Sequence, residues 1–213
     1  MRNTSHPNQD NYLSLAWATP WRVTNELKRL VAQPFAQLLF IFYGVPWHRT
    51  YRLYGVPLLQ LWRGSKVLIG EGLELRSSVG SNPLSPYHPV VFATRSPQAI
   101  LTIGRDFKMT GGSLIAERSI TIGNNVMVGA NSTIIDTDFH PLQARNRKSN
   151  PIKGKTLPVV IEDNVFIGTQ CIVLKGVTIG KGSVIGAGSV VTKNVPRTSI
   201  AVGNPAKVVA QLK

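Results

Sequence analysis

Residues 161–191 read IEDNVFIGTQCIVLKGVTIGKGSVIGAGSVV and carry an aliphatic residue at every sixth position. These positions are Ile161, Ile167, Val173, Ile179, Ile185 and Val191. A period of six fits neither the 3.6-residue turn of an α-helix nor the two-residue alternation of a plain strand. The spacing predicts a short strand followed by a turn, repeated along the chain.

Two earlier blocks repeat the pattern. Their aliphatic positions are Ile103, Met109 and Ile115 in one block and, after one extra residue, Ile122, Val128 and Ile134 in the next. Gly follows the aliphatic residue in six of the repeats, and a compact residue such as Cys171 or Ser183 stands four places after it. Gly allows the backbone to bend, and a compact residue fits inside a corner. Three such sides would close a triangular coil, and successive coils would stack by strand pairing at about 4.8 Å.

Composition limits the classes of protein that this chain can be. Its 213 residues are 43% hydrophobic and 16% charged, which predicts one folded domain with an appended segment. Lys and Arg outnumber Asp and Glu by 24 to 10, and the net charge of +14 favours an anionic partner. The basic residues form no run of five or six, so nucleic acid is not the expected partner.

The expected location is the cytoplasm, with peripheral contact to the inner face of the membrane as a further expectation. Cys171 is the only cysteine and cannot form an internal disulfide, which favours a reducing compartment. Residues 1–12 lack the apolar core of a signal peptide, and the apolar run over residues 38–45 is too short to cross a bilayer.

Residues 1–66 are predicted to form a basic, amphipathic, helical segment. Residues 24–43 place an apolar stripe along one side of a helix, with Pro34 as the expected kink. The stripe consists of Leu27, Leu30, Val31, Phe35, Leu38, Leu39 and Phe42. Basic and Trp side chains surround it, so the stripe either lies at a membrane interface or is buried against the repeats or a neighbouring subunit.

The repeat resembles that of the hexapeptide-repeat acyltransferases, and the resemblance covers residues 103–213. It implies a mainly β fold, a left-handed parallel β-helix, assembled as a homotrimer. We place this domain at residues 67–204, because Leu75 and residues 69–73 look like two further repeats ahead of a Pro-rich interruption. Asn204 and Pro205 indicate a turn into a short capping helix over residues 205–213.

Regular spacing is lost after residues 136–141 and resumes at Ile161, and we assign the loop to residues 140–160. A connection of this length is usually functional or disordered. It is basic, with Arg145, Arg147, Lys148, Lys153 and Lys155. In the sugar and xenobiotic acetyltransferases that the chain resembles, a His-Pro pair at this loop entry carries the catalytic base, and His140 and Pro141 match it.

Histidine suits this role because a hydroxyl attacks a thioester only weakly until a base removes its proton. Asp136 and Asp138 are near enough in sequence to hold the second ring nitrogen of His140, but they could equally contact substrate hydroxyls or cap the turn. By register, Glu117 matches a carboxylate that binds the acceptor sugar in galactoside-type members, with a solvated corner acid as the equal alternative.

The same resemblance assigns contacts to the acyl donor. The backbone N–H of Thr169 would lie near the thioester carbonyl. The positions that match coenzyme A contacts are Ala187, Thr192, Lys193 and Lys207. Cys171 stands at a corner position and is expected to pack rather than to act as a nucleophile.

The resemblance therefore implies an acetyl-CoA-dependent O-acetyltransferase without a metal, acting on a sugar or on a lipid-linked glycan precursor. Residues 136–141, read with the basic N-terminal segment, are most similar to O-acetyltransferases of exopolysaccharide and colanic-acid-type assembly. The alternatives are a noncatalytic scaffold or membrane-surface adaptor, and an acetyltransferase for a xenobiotic or an amino group. A zinc-dependent carbonic anhydrase would need three histidines around the metal, and the repeat region contains only His140.

Overall fold

Three sheets wind around one apolar core in the computed structural model, which describes residue 14, residues 16–147 and residues 154–212. Face 1 contains β1 (Arg52–Tyr54), β4 (Glu74–Arg76), β7 (Lys108–Thr110), β10 (Met127–Val128), β13 (Phe166–Ile167), β16 (Val184–Ile185), β18 (Ser199–Gly203) and β19 (Ala206–Gln211). Face 2 contains β2 (Leu58–Gln60), β5 (Val91–Thr94), β8 (Ser113–Ala116), β11 (Thr133–Ile135), β14 (Ile172–Val173) and β17 (Val190–Val191). Face 3 contains β3 (Lys66–Ile69), β6 (Ile100–Ile103), β9 (Ser119–Ile122), β12 (Val159–Ile161) and β15 (Thr178–Ile179).

Each coil passes from face 1 to face 2 to face 3 and then starts the next coil on face 1. From β1 to β18, strands that follow one another in sequence therefore lie on different faces, while parallel hydrogen-bonded pairs join strands one coil apart. We call the three turns of a coil corner 1–2, corner 2–3 and corner 3–1, after the faces that they join. The architecture is the predicted fold class, a left-handed parallel β-helix.

The core consists of ladders of stacked aliphatic side chains. On face 3, Ile103, Ile122, Ile161 and Ile179 lie one above another, and none is more than 2% exposed. At the corners, the compact Cys171 and Ser183 are completely buried. The six-residue repeat thus has the physical meaning that the sequence predicted, because each coil covers the apolar edge of the next.

The register differs from the prediction in one coil. Leu114, rather than Ile115, points inward, since Leu114 is fully buried and pairs with Ile134 while Ile115 is half-buried. Gly111 and Gly112 have φ angles of 54° and 80°. This left-handed backbone, which glycine adopts without a steric penalty, closes corner 1–2 in fewer residues and shifts the inward position.

The β-helix begins at Arg52, inside the segment predicted to be N-terminal and helical, so the boundary at residues 66 and 67 is wrong. Leu53 pairs with Leu75, and Leu59 pairs with Phe92, all four with buried side chains. Leu53 and Leu59 are six residues apart, but the next inward residue, Val67, follows only after eight. The first coil therefore lacks a run of regular repeats from which it could be recognised.

The prediction of a capping helix over residues 205–213 is wrong, because the described part of this segment contains a β-strand. Strand β19 pairs antiparallel with β18, with Lys207 opposite Val202. Strand β18 ends face 1, and its open edge carries N–H and C=O groups that need partners. A strand that folds back satisfies these groups, which a helix could not do.

Ahead of the coils, helix α1 (Pro20–Phe42) lies against β1. Its side chains Ala36 and Phe40 are completely buried in this contact. The amide of Gln33 donates to the carbonyl oxygen of Tyr51 at 2.5 Å and accepts from the N–H of Leu53 at 3.2 Å. The helix is therefore fixed to the first coil by both apolar and polar contacts.

The predicted apolar stripe of this helix points away from the coils. Of its seven residues, Leu39 is half-buried and the others are exposed, so burial of the stripe against the repeats of the same chain is wrong. Pro34 lies inside the helix, which continues to Phe42. No helix within the described ranges combines the length and apolarity that crossing a membrane requires.

Candidate active site

His140 stands at the rim of corner 2–3, where the chain leaves β11 for the long loop. The loop contains the short helix α2 (Ala144–Arg147), and Lys148 and Lys153 of the predicted basic cluster lie outside the described residues. The imidazole of His140 is exposed and makes no hydrogen bond to any described residue. A histidine in this position is accessible to a substrate from solvent.

The returning half of the loop supports the backbone at His140. Gly154 passes so close that a Cβ there would lie 2.8 Å from the backbone nitrogen of His140 and 2.9 Å from the Cβ of Asp138. The N–H of Asp138 donates to the carbonyl oxygen of Lys155 at 3.0 Å, and Thr137 forms a bridge with Thr156. Glycine is required at 154 because any side chain would push His140 away from the corner.

Asp136 is a structural carboxylate and does not orient His140, so its predicted catalytic role is wrong. Its Oδ1 accepts from the N–H of Glu117, and its Oδ2 accepts from the N–H groups of Arg118 and Ser119, each at 2.7 Å. The side chain is completely buried. Burial raises the pKa of Asp136, while the three N–H donors act in the opposite direction. All of its acceptor capacity is used to hold the corner of the coil beneath.

Asp138, two residues before His140, pairs through only one of its carboxylate oxygens. Its Oδ1 pairs with Nζ of Lys175 at 2.5 Å, and both side chains are largely buried. Its Oδ2 is buried and has no hydrogen-bond partner among the described residues. A buried carboxylate oxygen without a donor is costly, so this oxygen is suited to receive an N–H from a neighbouring ring or a substrate hydroxyl.

Glu117 lies beneath the loop entry at the same corner and is only 9% exposed, so it is not a solvated corner acid. Its Oε2 accepts from the hydroxyl of Thr137 at 3.0 Å and lies 3.7 Å from Nε of Arg95. The guanidinium carbon of Arg95 also lies 4.6 Å from the ring centroid of Phe139. Sequence reasoning missed Arg95, because it belongs to the coil below and comes 45 residues before His140.

Thr169 and Ala187 stand one above the other at corner 1–2. Neither backbone N–H donates to a described residue. Glycines keep the space next to them open, because a Cβ at Gly129 would lie 2.5 Å from the nitrogen of Thr169 and one at Gly168 would lie 2.6 Å from that of Ala187. These two N–H groups are therefore available to a bound carbonyl or amide.

A groove of 610 Å³ runs along face 1 to this corner, and we call it the face-1 groove. Its wall is mostly apolar, with Met127, Phe166 and Val184 from successive coils, and Thr169 and Ala187 at its edge. An extended chain with amide groups and an apolar stem could lie along it, with its amides beside the available N–H groups.

The remaining predicted contacts are divided between two corners. Thr192 and Lys193 are exposed in the turn after β17, on corner 2–3 above the loop of His140. Lys207 is exposed on β19 opposite Val202, which packs over Gly186 near Ala187. Within one chain, the structure brings Glu117, Asp138 and His140 together but places Thr169 and Ala187 at a different corner.

Cys171 is confirmed as a packing residue. It is completely buried, and its Sγ lies 3.2 Å from the carbonyl oxygen of Gly186. Burial raises the pKa of the Cys171 thiol, which disfavours the thiolate that a nucleophile would need.

Comparison with known proteins identifies the repeat. Residues 119–135 and 158–193 match a family model described as the hexapeptide repeat of succinyl-transferase. The galactoside O-acetyltransferase of Escherichia coli strain K12 is 36% identical over 141 residues, which is 65% of this chain and 66% of that protein. The galactoside O-acetyltransferase of Lactococcus lactis is 48% identical over 96 residues, 45% of each chain. The chain thus spans less than two thirds of the length of these relatives.

Solved structures with the same repeat have a similar fold. A galactoside acetyltransferase in complex with coenzyme A is 31% identical with a TM-score of 0.52, over 65% of this chain and 64% of that chain. A hexapeptide-repeat acetyltransferase from Vibrio cholerae in complex with acetyl coenzyme A is 31% identical with a TM-score of 0.50, over 57% of this chain and 65% of that chain. The β-helix is therefore one that acetyltransferases with bound coenzyme A also use.

Proposed function

We propose that this chain transfers an acetyl group from acetyl-CoA to a hydroxyl of a sugar or surface-glycan precursor, because it belongs to the hexapeptide-repeat family. The observation that carries the proposal is the loop entry at corner 2–3. There an exposed His140 follows Asp138 by two residues, and Asp138 has a buried carboxylate oxygen without a hydrogen-bond partner among the described residues. The similarity to acetyltransferases supports the choice of donor, and the named galactoside enzymes support a sugar as acceptor.

In the proposed reaction, His140 accepts the proton of the acceptor hydroxyl as its oxygen attacks the thioester carbonyl carbon. The new C–O bond forms, the C–S bond then breaks, and the proton passes from the imidazolium to the departing sulfur. The products are an acetyl ester and coenzyme A, without an acyl-enzyme. Asp138 would position the ring and stabilise its positive charge through Oδ2, and the N–H of Thr169 would stabilise the oxyanion.

The separation of the two corners is the reason to propose a homotrimer. His140 and Glu117 lie at corner 2–3, while Thr169 and Ala187 lie at corner 1–2. In a ring of three copies, corner 2–3 of one chain can face corner 1–2 of the next. The face-1 groove would then hold the pantetheine arm, with Thr192, Lys193 and Lys207 as contacts for the rest of coenzyme A, the lysines toward its phosphates.

The acceptor would bind over the pair formed by Glu117 and Arg95. The Glu117 carboxylate can accept from sugar hydroxyls, and Phe139 offers an apolar face next to it. Arg95 would hold Glu117 and Phe139 in place through its contacts with both side chains. This arrangement favours an acceptor with several adjacent hydroxyls. We propose the cytoplasm as the location, because the only cysteine of the chain is reduced and buried.

The experiment is thiol release from acetyl-CoA by the wild type, His140→Ala and a control variant, His48→Ala, whose histidine lies near the end of α1. The acceptor panel contains simple sugars, sugar nucleotides, lipid-linked sugars, an aminoglycoside and simple amines. We expect turnover on a sugar acceptor, a loss of about 10²- to 10⁴-fold in His140→Ala, and no loss in His48→Ala.

Coenzyme A affinity, measured by calorimetry, should be the same in all three proteins. If none of them binds coenzyme A, the transferase is refuted and a scaffold or adaptor takes its place. Turnover only on amines or on the aminoglycoside would refute the sugar acceptor while keeping the acetyl transfer.

A further inference from the structure

Helix α1 exposes one continuous apolar face. We define the α1 face as Val23, Leu27, Leu30, Val31, Phe35, Leu38, Ile41 and Phe42, which are 43 to 83% exposed. Trp17 and Trp21 precede it and are 90% and 57% exposed. Apolar side chains at this spacing lie along one side of a helix. A helix that shows this side to water needs a partner for it.

The α1 face cannot turn inward, because the opposite side of the helix is bound to the first coil. Oε1 of Glu26 accepts from the hydroxyl of Tyr54 at 2.5 Å and from Arg52 at 2.8 Å. Gln33 bonds the backbone on both sides of Arg52, as described above. The helix therefore packs by its more polar side and presents its apolar side outward.

The surroundings of the α1 face are basic. Residues 27–70 contain six Lys and Arg and no Asp or Glu. At the C-terminal end of the face, an opening of 600 Å³ joins Phe42 to Trp62, Arg63 and Lys66. At the N-terminal end, an opening of 790 Å³ is lined by Trp21, Arg22, Arg52 and Arg76 and also by Glu26, which pairs with Arg52, while Arg76 pairs with Glu74.

We propose that the α1 face docks on an anionic lipid bilayer, with α1 lying parallel to the membrane surface. The apolar side chains would enter the boundary between headgroups and acyl chains, and the lysines and arginines at both ends would meet lipid phosphates. Tryptophan at the borders is typical of a membrane interface, where an apolar ring with one polar group is stable. Apolar burial and basic charge together supply the two contributions that stable peripheral binding requires.

A second copy of the chain in a two-fold contact fits this surface less well. In a two-fold contact the same patch meets itself, so the basic ends of one α1 face would lie near those of the other. Glu26, the acid at the N-terminal end, already pairs with Arg29 and Arg52, and residues 27–70 contain no Asp or Glu. A lipid surface supplies the missing negative charge, and it requires no complementary shape.

The test is flotation of the full chain with vesicles of phosphatidylcholine alone or with added phosphatidylglycerol. We expect binding to the anionic vesicles, weaker binding at high salt, and little binding to phosphatidylcholine alone. The variant Leu30→Glu/Leu38→Glu should bind at least about tenfold less, because both side chains would enter the apolar layer. Lys28→Gln/Lys66→Gln should weaken binding by about fivefold for each charge removed.

The matched control is Val209→Glu, an equally exposed apolar residue on β19, and it should bind like the wild type. Absence of flotation with anionic vesicles would overturn the proposal, and so would flotation that survives Leu30→Glu/Leu38→Glu. Light scattering after gel filtration gives the oligomeric state and tests whether a second copy covers the α1 face instead. If the double Glu variant changes the oligomeric state and the wild type binds no vesicles, a second copy covers the face. The assay does not use acetyl transfer, so its outcome is independent of the proposed activity.

Discussion

At the scale of single residues, two aspartates separated by one position have different roles. Asp136 gives both oxygens to three backbone N–H groups, whereas Asp138, two residues before His140, has a buried oxygen without a partner among the described residues. The difference arises because Asp136 still lies inside the coil and Asp138 lies on the part of the chain that leaves it. The structure thus separates the residue that holds the corner from the one that can serve the chemistry.

This difference predicts that the same substitution, Asp to Asn, has different effects at the two positions. Asp136→Asn places an NH₂ group against N–H donors and should lower the free energy of unfolding by about 2–4 kcal/mol, measured by urea denaturation. Asp138→Asn takes the negative charge away from the largely buried Lys175 and should also lower that free energy, by about 3 kcal/mol, but it alone should reduce the kcat of the folded protein by roughly 10²-fold or more.

Coenzyme A affinity provides the control for this pair, and it should be unchanged in Asp138→Asn. A large loss of stability in Asp138→Asn with kcat unchanged in the surviving folded protein would show that Asp138 also has only a structural role.

A second prediction at this scale concerns Cys171. Its thiol is buried and has a raised pKa, so little thiolate forms in the folded protein at neutral pH. Iodoacetamide should therefore leave the native chain unlabelled and modify one thiol after denaturation, as read by intact mass. Labelling of the native protein at the rate of a free thiol would contradict the packing role.

At the scale of elements, the junction between α1 and the first coil decides which side of the helix is exposed. Tyr51 is 1% exposed there, and its hydroxyl donates to the carbonyl oxygen of Ile69 at 3.1 Å. The rings of Phe40 and Trp47 pack around it edge to face. Because the hydroxyl is buried, desolvation raises the pKa of Tyr51 from 10.0 to about 12.

This raised pKa predicts a stability change at alkaline pH. In the unfolded chain Tyr51 loses its proton near pH 10, whereas in the folded chain it keeps the proton until about pH 12. Its contribution is therefore complete below pH 10 and is lost as the pH rises toward 12, by up to about 3 kcal/mol. The difference in free energy of unfolding between the wild type and Tyr51→Phe should shrink over this range.

The comparison with Tyr51→Phe cancels the titration of lysines, which occurs at the same pH in both proteins. A difference between the two proteins that stays constant from pH 9 to pH 12 would mean that Tyr51 is hydrated.

At the scale of the whole molecule, the triangular cross-section places the two halves of the proposed site at different corners. This arrangement predicts complementation between subunits. A mixture of His140→Ala and Ala187→Phe chains, unfolded and refolded together, should recover about a quarter of the wild-type activity, because one site in four combines two intact halves.

Each variant alone should be nearly inactive, since Ala187 is exposed at the edge of the face-1 groove and a Phe there would block it. Both variants should keep the oligomeric mass of the wild type in light scattering. If the mixture stays inactive although mixed oligomers form, the site lies within one chain and the trimer proposal loses its main support.

The amino-acid sequence by itself determined the repeating coil and the place where the coil opens. The six-residue period can be recognised in the sequence because each aliphatic residue contacts the equivalent residue one coil away, and this contact is the same in every regular coil. For the same reason, His140 could be located at the loop entry from the interruption of the period and its resemblance to known acetyltransferases.

Only the tertiary structure decided the features that depend on contacts between distant parts of the chain. It showed that Asp136 binds the corner at residues 117–119, that Leu114 replaces Ile115 in the core, and that residues 206–211 form a strand. It also showed which side of α1 meets the coils, which the apolar stripe had left open. All four features have the same physical reason. They depend on hydrogen-bond partners, glycine-closed corners and open strand edges that belong to other coils, and the periodic pattern of a segment does not show which contacts the other coils make with it.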